Sequence, residues 1–93
     1  LKKKKLNKIR HELDRLDNSL IKLIKKRTNL VKKVLALKDK KSQIIDQKRI
    51  KKILKNIRKK SLMNNIDPKI TNRIWKNMIW SYINFEKRNF KKK

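Results

Sequence analysis

Arg27 interrupts an apolar stripe. Reading from Leu6 in alternating steps of three and four gives Leu6, Ile9, Leu13, Leu16, Leu20, Leu23, Arg27, Leu30, Val34 and Leu37, nine aliphatic side chains and one guanidinium. A cation on the buried face of a helix is costly unless an anion meets it. Arg10 and Lys38 each fall one position after a stripe residue, so they flank it on the same side. Arg49 flanks the apolar pair Ile50 and Ile53, and Glu86 lies on the apolar face of a later helix among Tyr82, Ile83 and Phe90. Taken singly, Lys38 and Arg49 read as snorkelling side chains at the edge of a core, and Glu86 as a salt bridge to a lysine or to Arg27. The question they raise is which anion meets Arg27.

Spacing says how such a site could close. Arg27 and Lys38 are eleven residues apart, roughly 16 Å along a helix axis, so their long side chains can converge on one small molecule. Arg10 lies roughly 42 Å from Lys38 along the same axis and cannot join them within one helix. An antiparallel partner helix crossing near residue 21 would bring its own Arg10 level with residue 32. A two-fold dimer would then build two identical sites, each completed by the partner's Arg10.

The elements needed to hold these residues are all helical. The periodicity is helical throughout 93 residues that contain no Gly, one Ala and one Pro, so the class is all-α and the chain forms a single domain over residues 1–93. Helix one is expected from about Lys4 to Lys40, too long for the rest of so small a chain to cover, so part of its stripe must meet a second copy. Residues 39–45 form a polar break. Asp46 caps a second helix over about 46–60, whose apolar face is Ile50, Ile53, Leu54 and Ile57. A linker over 59–66 contains Asn64-Asn65, and Asp67-Pro68 starts a third helix over about 67–90. That helix carries Ile70, Ile74, Met78, Tyr82 and Glu86 at four-residue steps, widened by Trp75, Ile79 and Ile83.

Composition removes several chemistries. With no Cys there is no disulfide, thiolate metal site or cysteine nucleophile, and His11 alone cannot make a metal site. P-loop, GxGxxG and HExxH motifs are missing. No apolar run approaches the roughly 18 residues of a membrane span. The lysine-rich start leads into an amphipathic helix instead of an apolar core segment, so no signal peptide is expected and a cytoplasmic location is the default. The net charge of +25 invites a nucleic-acid reading. Yet 25 Lys, 13 Ile and 10 Asn make up over half of the chain, a skew that AT-rich codons impose whatever the function. Lys also outnumbers Arg 25 to 7, whereas specific phosphate and base recognition leans on Arg. The charge is read here as drift on solvated faces, with no specific nucleic acid and no membrane expected as partner.

The pattern resembles the all-helical (type II) chorismate mutases. The resemblance starts at Ile9-Arg10 and runs through Leu13, Leu16-Asp17, Leu20, Arg27, Leu30, Val34 and Lys38. It resumes at Asp46, Arg49 and Ile53-Leu54, and ends at Ile74-Trp75, Ile79, Ile83 and Glu86. It implies an intertwined homodimer of three-helix chains with two sites that convert chorismate to prephenate, without metal or cofactor, for phenylalanine and tyrosine biosynthesis. By resemblance, Arg27 and the partner's Arg10 would clamp the two substrate carboxylates, and Lys38 would reach the ether oxygen and a carboxylate. Arg49, with the backbone near Asp46, would line the end that holds the ring hydroxyl. Glu86 stands where the family has Gln or Glu, the second donor to the ether oxygen. Three positions depart from the pattern or constrain it. Ile50 replaces a Glu that contacts the substrate hydroxyl in many members, which implies weaker ground-state binding. Tyr82 replaces a small hydroxyl residue near the ring carboxylate. Glu86 can donate only when protonated, so activity is expected to fall as pH rises. The alternatives are the related isochorismate-pyruvate lyase, a basic helical nucleic-acid-binding protein, and a bare coiled-coil dimerisation module.

Overall fold

The computed structural model describes residues 1–92, and among them it is all-helical, with three α-helices and no strand. In chain order these are α1 (Lys2–Ala36), a single 3-10 turn (Lys41–Gln43), α2 (Gln47–Met63) and α3 (Pro68–Asn89). No helix among the described residues is long and apolar enough to cross a membrane. The chain divides into two compact units, residues 1–31 and the residues from 32 onward.

The first unit is the bulk of α1, a helix of 35 residues, or roughly 52 Å. None of its side chains is buried. The stripe residues from Leu6 to Leu30 stay open to solvent, from 46% exposed at Leu6 to 61% at Leu16, apart from the half-buried Arg27. An isolated amphipathic helix derives its stability from packing its apolar face, so this face is incomplete as it stands.

The second unit holds the core. Ile44, Ile79 and Ile83 are its buried aliphatics, and Leu35, Ile45, Ile50, Ile53, Leu54 and Phe90 pack around them. The chain enters this core by leaving α1 at Ala36, four residues before the expected end. The amides of Leu37 and Lys38 turn back three residues, to the carbonyls of Val34 and Leu35, which tightens the last turn. The Gln43 side-chain oxygen then accepts from the amides of Asp39 (2.7 Å) and Lys40 (2.9 Å). Those amides would otherwise continue the helix, so Gln43 ends it and swings Ile44 into the core.

At the start of α2, Asp46 accepts from the amide of Arg49 at 3.0 Å. The helix ends three residues later than expected. The buried Ser61 hydroxyl donates to the Ile57 carbonyl and bonds the Thr71 hydroxyl, both at 2.6 Å, which ties the last turn of α2 to α3. The exit is a Schellman turn: the amide of Ile66 donates to the Ser61 carbonyl at 2.8 Å, that of Asn65 to Leu62 at 3.3 Å, and Asn65 takes φ 56°. Asp67 then accepts from the amide of Lys69 at 2.9 Å, with Pro68 opening α3.

The buried face of α3 differs from the four-residue series. Ile79, Ile83 and Glu86 are buried, with Thr71, Trp75, Met78, Tyr82 and Phe85 half-buried, whereas Ile70 and Ile74 are exposed. A step of four advances 400° around a 3.6-residue helix, so four steps back from Glu86 rotate Ile70 roughly 160° off the buried line. Ile70 and Ile74, with Leu62, Met63 and Ile66, leave an exposed apolar group around the α2–α3 turn.

The left-handed Asn65 gives a direct check. Asn65→Ala should lower stability by about 1 kcal/mol, because alanine lacks the amide that tolerates this conformation, while Asn65→Gly should not. Urea unfolding midpoints at unchanged slope measure this; equal midpoints for Asn65→Ala and the parent would contradict it.

Candidate functional site

The centre of the site in the second unit is an ion pair. Lys38, in the turn after α1, and Glu86, in the last third of α3, are 48 residues apart in sequence, and Nζ of Lys38 donates to Oε2 of Glu86 at 3.0 Å. Their side chains keep 18% and 8% of their solvent exposure. A carboxylate this deep needs a cation, and Lys38 supplies it. Each partner is delivered by a separate device. The Gln43 hook sets the direction of the chain just after Lys38. Glu86 is carried on the same face of α3 as Ile79 and Ile83, whose burial fixes the rotation of that helix.

Chemically, the ammonium of Lys38 has three hydrogens, of which one goes to Glu86. It can therefore meet an anion without releasing the carboxylate. Tyr82, half-buried, lies one turn before Glu86 on α3. At the start of α2, Asp46 and Arg49 are both exposed, and the Asp46 carboxylate accepts from the backbone amide of Arg49. Ile50 is half-buried and packs against the isoleucine core, so it contributes an apolar wall.

Arg10 and Arg27 belong to the first unit. Arg10 is exposed. Arg27 is half-buried and its Nε is shielded from solvent, whereas the other stripe positions between Leu6 and Leu30 are exposed. The positions that the sequence singled out thus divide: Lys38 and Glu86 meet, Tyr82 shares the Glu86 face, Asp46 and Arg49 share the cap of α2, and Arg10 and Arg27 sit on α1. The sequence analysis did not single out Gln43, which orders the backbone beside Lys38. Glutamine inside a polar break has no periodic signature, and only the two amides it captures reveal it.

With this geometry in hand, comparison with known proteins gives one match. The family described as chorismate mutase type II matches residues 9–87 of the chain, a span that contains Arg10, Arg27, Lys38, Gln43, Asp46, Arg49, Ile50, Tyr82 and Glu86. Neither a curated protein nor a solved structure matches.

The ion pair makes a stability prediction. Lys38→Met strands the Glu86 carboxylate and should cost about 2 kcal/mol, below the range for a fully buried pair because Lys38 retains some water. Lys38→Met combined with Glu86→Leu should recover at least half of that loss. Denaturant unfolding of the two single variants and the double tests the coupling, and losses that simply add would exclude it.

Proposed function

The chain belongs to the type II chorismate mutase family, and from that premise we propose that it rearranges chorismate to prephenate in phenylalanine and tyrosine biosynthesis, acting as an intertwined homodimer. The observation that carries this reading is the family match over residues 9–87, a span that includes Arg10, Arg27, Lys38, Arg49 and Glu86.

The reaction is unimolecular and pericyclic. One carbon–oxygen bond breaks as one carbon–carbon bond forms within the same molecule, so no nucleophile, redox group or proton carrier is required. Two tasks remain for the protein. It must hold the ring and the enolpyruvyl arm in a compact pose, and it must stabilise the negative charge that grows on the ether oxygen. In this proposal Arg27 and the partner's Arg10 hold the two carboxylates, because a guanidinium fork matches a carboxylate bidentately. Lys38 donates to the ether oxygen and to a carboxylate, with hydrogens not engaged by Glu86. Glu86, protonated, is the second donor to the ether oxygen. Arg49 and the cap at Asp46 line the hydroxyl end, with Ile50 as its wall, and Tyr82 stands near the ring carboxylate.

The homodimer is supported by exposure. The stripe of α1 and the apolar group of Leu62, Met63, Ile66, Ile70 and Ile74 both lie open in the single chain. A second copy can cover such faces, and it would carry the partner's Arg10 across.

Two measurements test this reading. Purified protein should convert chorismate to prephenate and release no pyruvate from isochorismate; pyruvate release without prephenate formation would overturn it in favour of the lyase. Arg10→Ala and Arg27→Ala should each lower kcat/KM by about a hundredfold or more. When the two inactive variants are dissociated and re-associated together, about a quarter of parental activity should return, because half the dimers are mixed and each mixed dimer has one intact site. No recovery on mixing would exclude a shared site.

A third measurement concerns Glu86. Glu86→Ala should lower kcat/KM by about tenfold or more, and Glu86→Gln should recover most of that loss, because an amide nitrogen can donate to the ether oxygen. An Ala variant as active as the parent, or a Gln variant as poor as Ala, would remove Glu86 from the donor role.

A further inference from the structure

The outward side of α2 is the most one-sided surface of the chain. Within Gln47–Met63 there are eight cations and no carboxylate. Lys48, Lys52, Lys55 and Lys59 follow one another at steps of four, three and four, which sets them in a single line, and all four are exposed. The line lies opposite the face formed by Ile50, Leu54, Ile57 and Ser61. The pairs Lys48–Lys52 and Lys55–Lys59 are like charges one turn apart, an arrangement that disfavours the helix in the absence of a counter-charge.

Codon bias alone does not account for this line. An AT-rich bias supplies Asn as readily as Lys at open positions, and α3 shows that mixture: Lys69, Asn72, Lys76, Asn77 and Asn84 are all exposed. On α2 the outward line is lysine at every position, with Asn56 set to its side. No aromatic or aliphatic residue interrupts the line between Lys48 and Lys59; the exposed Leu62 and Met63 lie past its end, in the apolar group that the proposed homodimer would cover.

We propose that the Lys48–Lys52–Lys55–Lys59 line is a docking surface for the phosphate backbone of nucleic acid, bound without sequence preference. The line rises roughly 16 Å along the helix. Over that length one strand of a duplex presents about five phosphates, so four ammonium groups face a matching row of charges. Lysine is a flexible point charge, and nothing in the line offers the planar, bidentate contacts that read base edges. None of the four lysines belongs to the proposed catalytic site, so this surface and the mutase reading stand or fall separately.

The test is binding of a short mixed-sequence DNA duplex to the full chain, followed by fluorescence anisotropy between about 50 and 200 mM salt. Each phosphate neutralised contributes about 0.9 to the slope of log affinity against log salt, so changing all four lysines to Gln should reduce the slope by between about 3 and 4. The milder pair Lys52→Gln with Lys55→Gln should reduce it by about 2 and guards against a folding failure in the quadruple variant. Circular dichroism and the rate of chorismate conversion should match the parent for both variants. A control that removes four charges elsewhere, Lys2, Lys3, Lys4 and Lys5 all changed to Gln, should reduce the slope by about 1 or less. Equal reductions in the control and the α2 variants would mean diffuse charge and would overturn the proposal. So would an unchanged slope in the α2 variants. Binding of the parent to phosphatidylglycerol vesicles at least as tightly as to the duplex, lost in the α2 variants, would reassign the surface to lipid headgroups and overturn it as well.

Discussion

The pair of Lys38 and Glu86 is the interaction around which the second unit is arranged. A buried carboxylate is tolerated only with a cation in reach, and the one that reaches Glu86 comes from the turn after α1, 48 residues away. That requirement constrains three elements at once. The helix must stop before Lys38, which the reversal at Leu37 and Lys38 and the Gln43 hook accomplish. Ile44 must enter the core directly afterwards, which it does as the most deeply buried of the aliphatics. And α3 must present Glu86 on the same side as Ile79 and Ile83, which the isoleucine core enforces. The apolar contacts give the unit its stability, and the ion pair specifies how the turn and α3 register against each other.

The second constraint is that the chain buries little. Only Ile44, Ile79 and Ile83 are buried aliphatics among the described residues, while most of the α1 stripe remains in solvent. Net folding stability is a small difference between large terms, and a helix of this length with an uncovered face has little on the favourable side. The homodimer we propose resolves this by letting the same apolar residues that fail to pack within one chain pack between two. Assembly and folding would then be one equilibrium, dependent on protein concentration.

Much of this was legible in the sequence, and the misses have specific causes. Asp46 and Asp67-Pro68 announce helix starts through a short-range mechanism, a side-chain oxygen meeting an orphan amide, and both caps form. Helix ends were less legible. Residues 37–40 carry no Gly or Pro, so nothing local stops α1; the stop comes from Gln43, which acts across a turn. Likewise Ser61 extends α2 because its hydroxyl finds Thr71 on another helix, a contact that no local pattern encodes. On α3, a four-residue rhythm stands close enough to the helical period to look like a face over two turns and drifts off it over four, which is why Ile70 and Ile74 are exposed. The charged positions were visible for the opposite reason. A guanidinium in a leucine stripe and a carboxylate among aromatics violate the pattern around them, and violations of pattern are where local stability has been set aside.

The ion pair also sets up a conflict that the chemistry has to resolve. To hold Lys38, Glu86 accepts a hydrogen bond, the role of an ionised carboxylate. To assist at the ether oxygen in the proposed reaction, it must donate one, the role of the protonated acid. The two roles exclude each other for an ionised carboxylate, which has no proton to donate, but not for an amide, whose carbonyl oxygen accepts while its nitrogen donates. Glutamine at this position would satisfy Lys38 and the substrate together at any pH, at the expense of the full charge that pairs with a half-buried ammonium. Glutamate keeps the stronger hold on Lys38 in the empty site and ties the second donor to proton supply. In the proposed reaction, the residue at position 86 therefore trades the full charge that orders the resting site against a donor that needs no added proton.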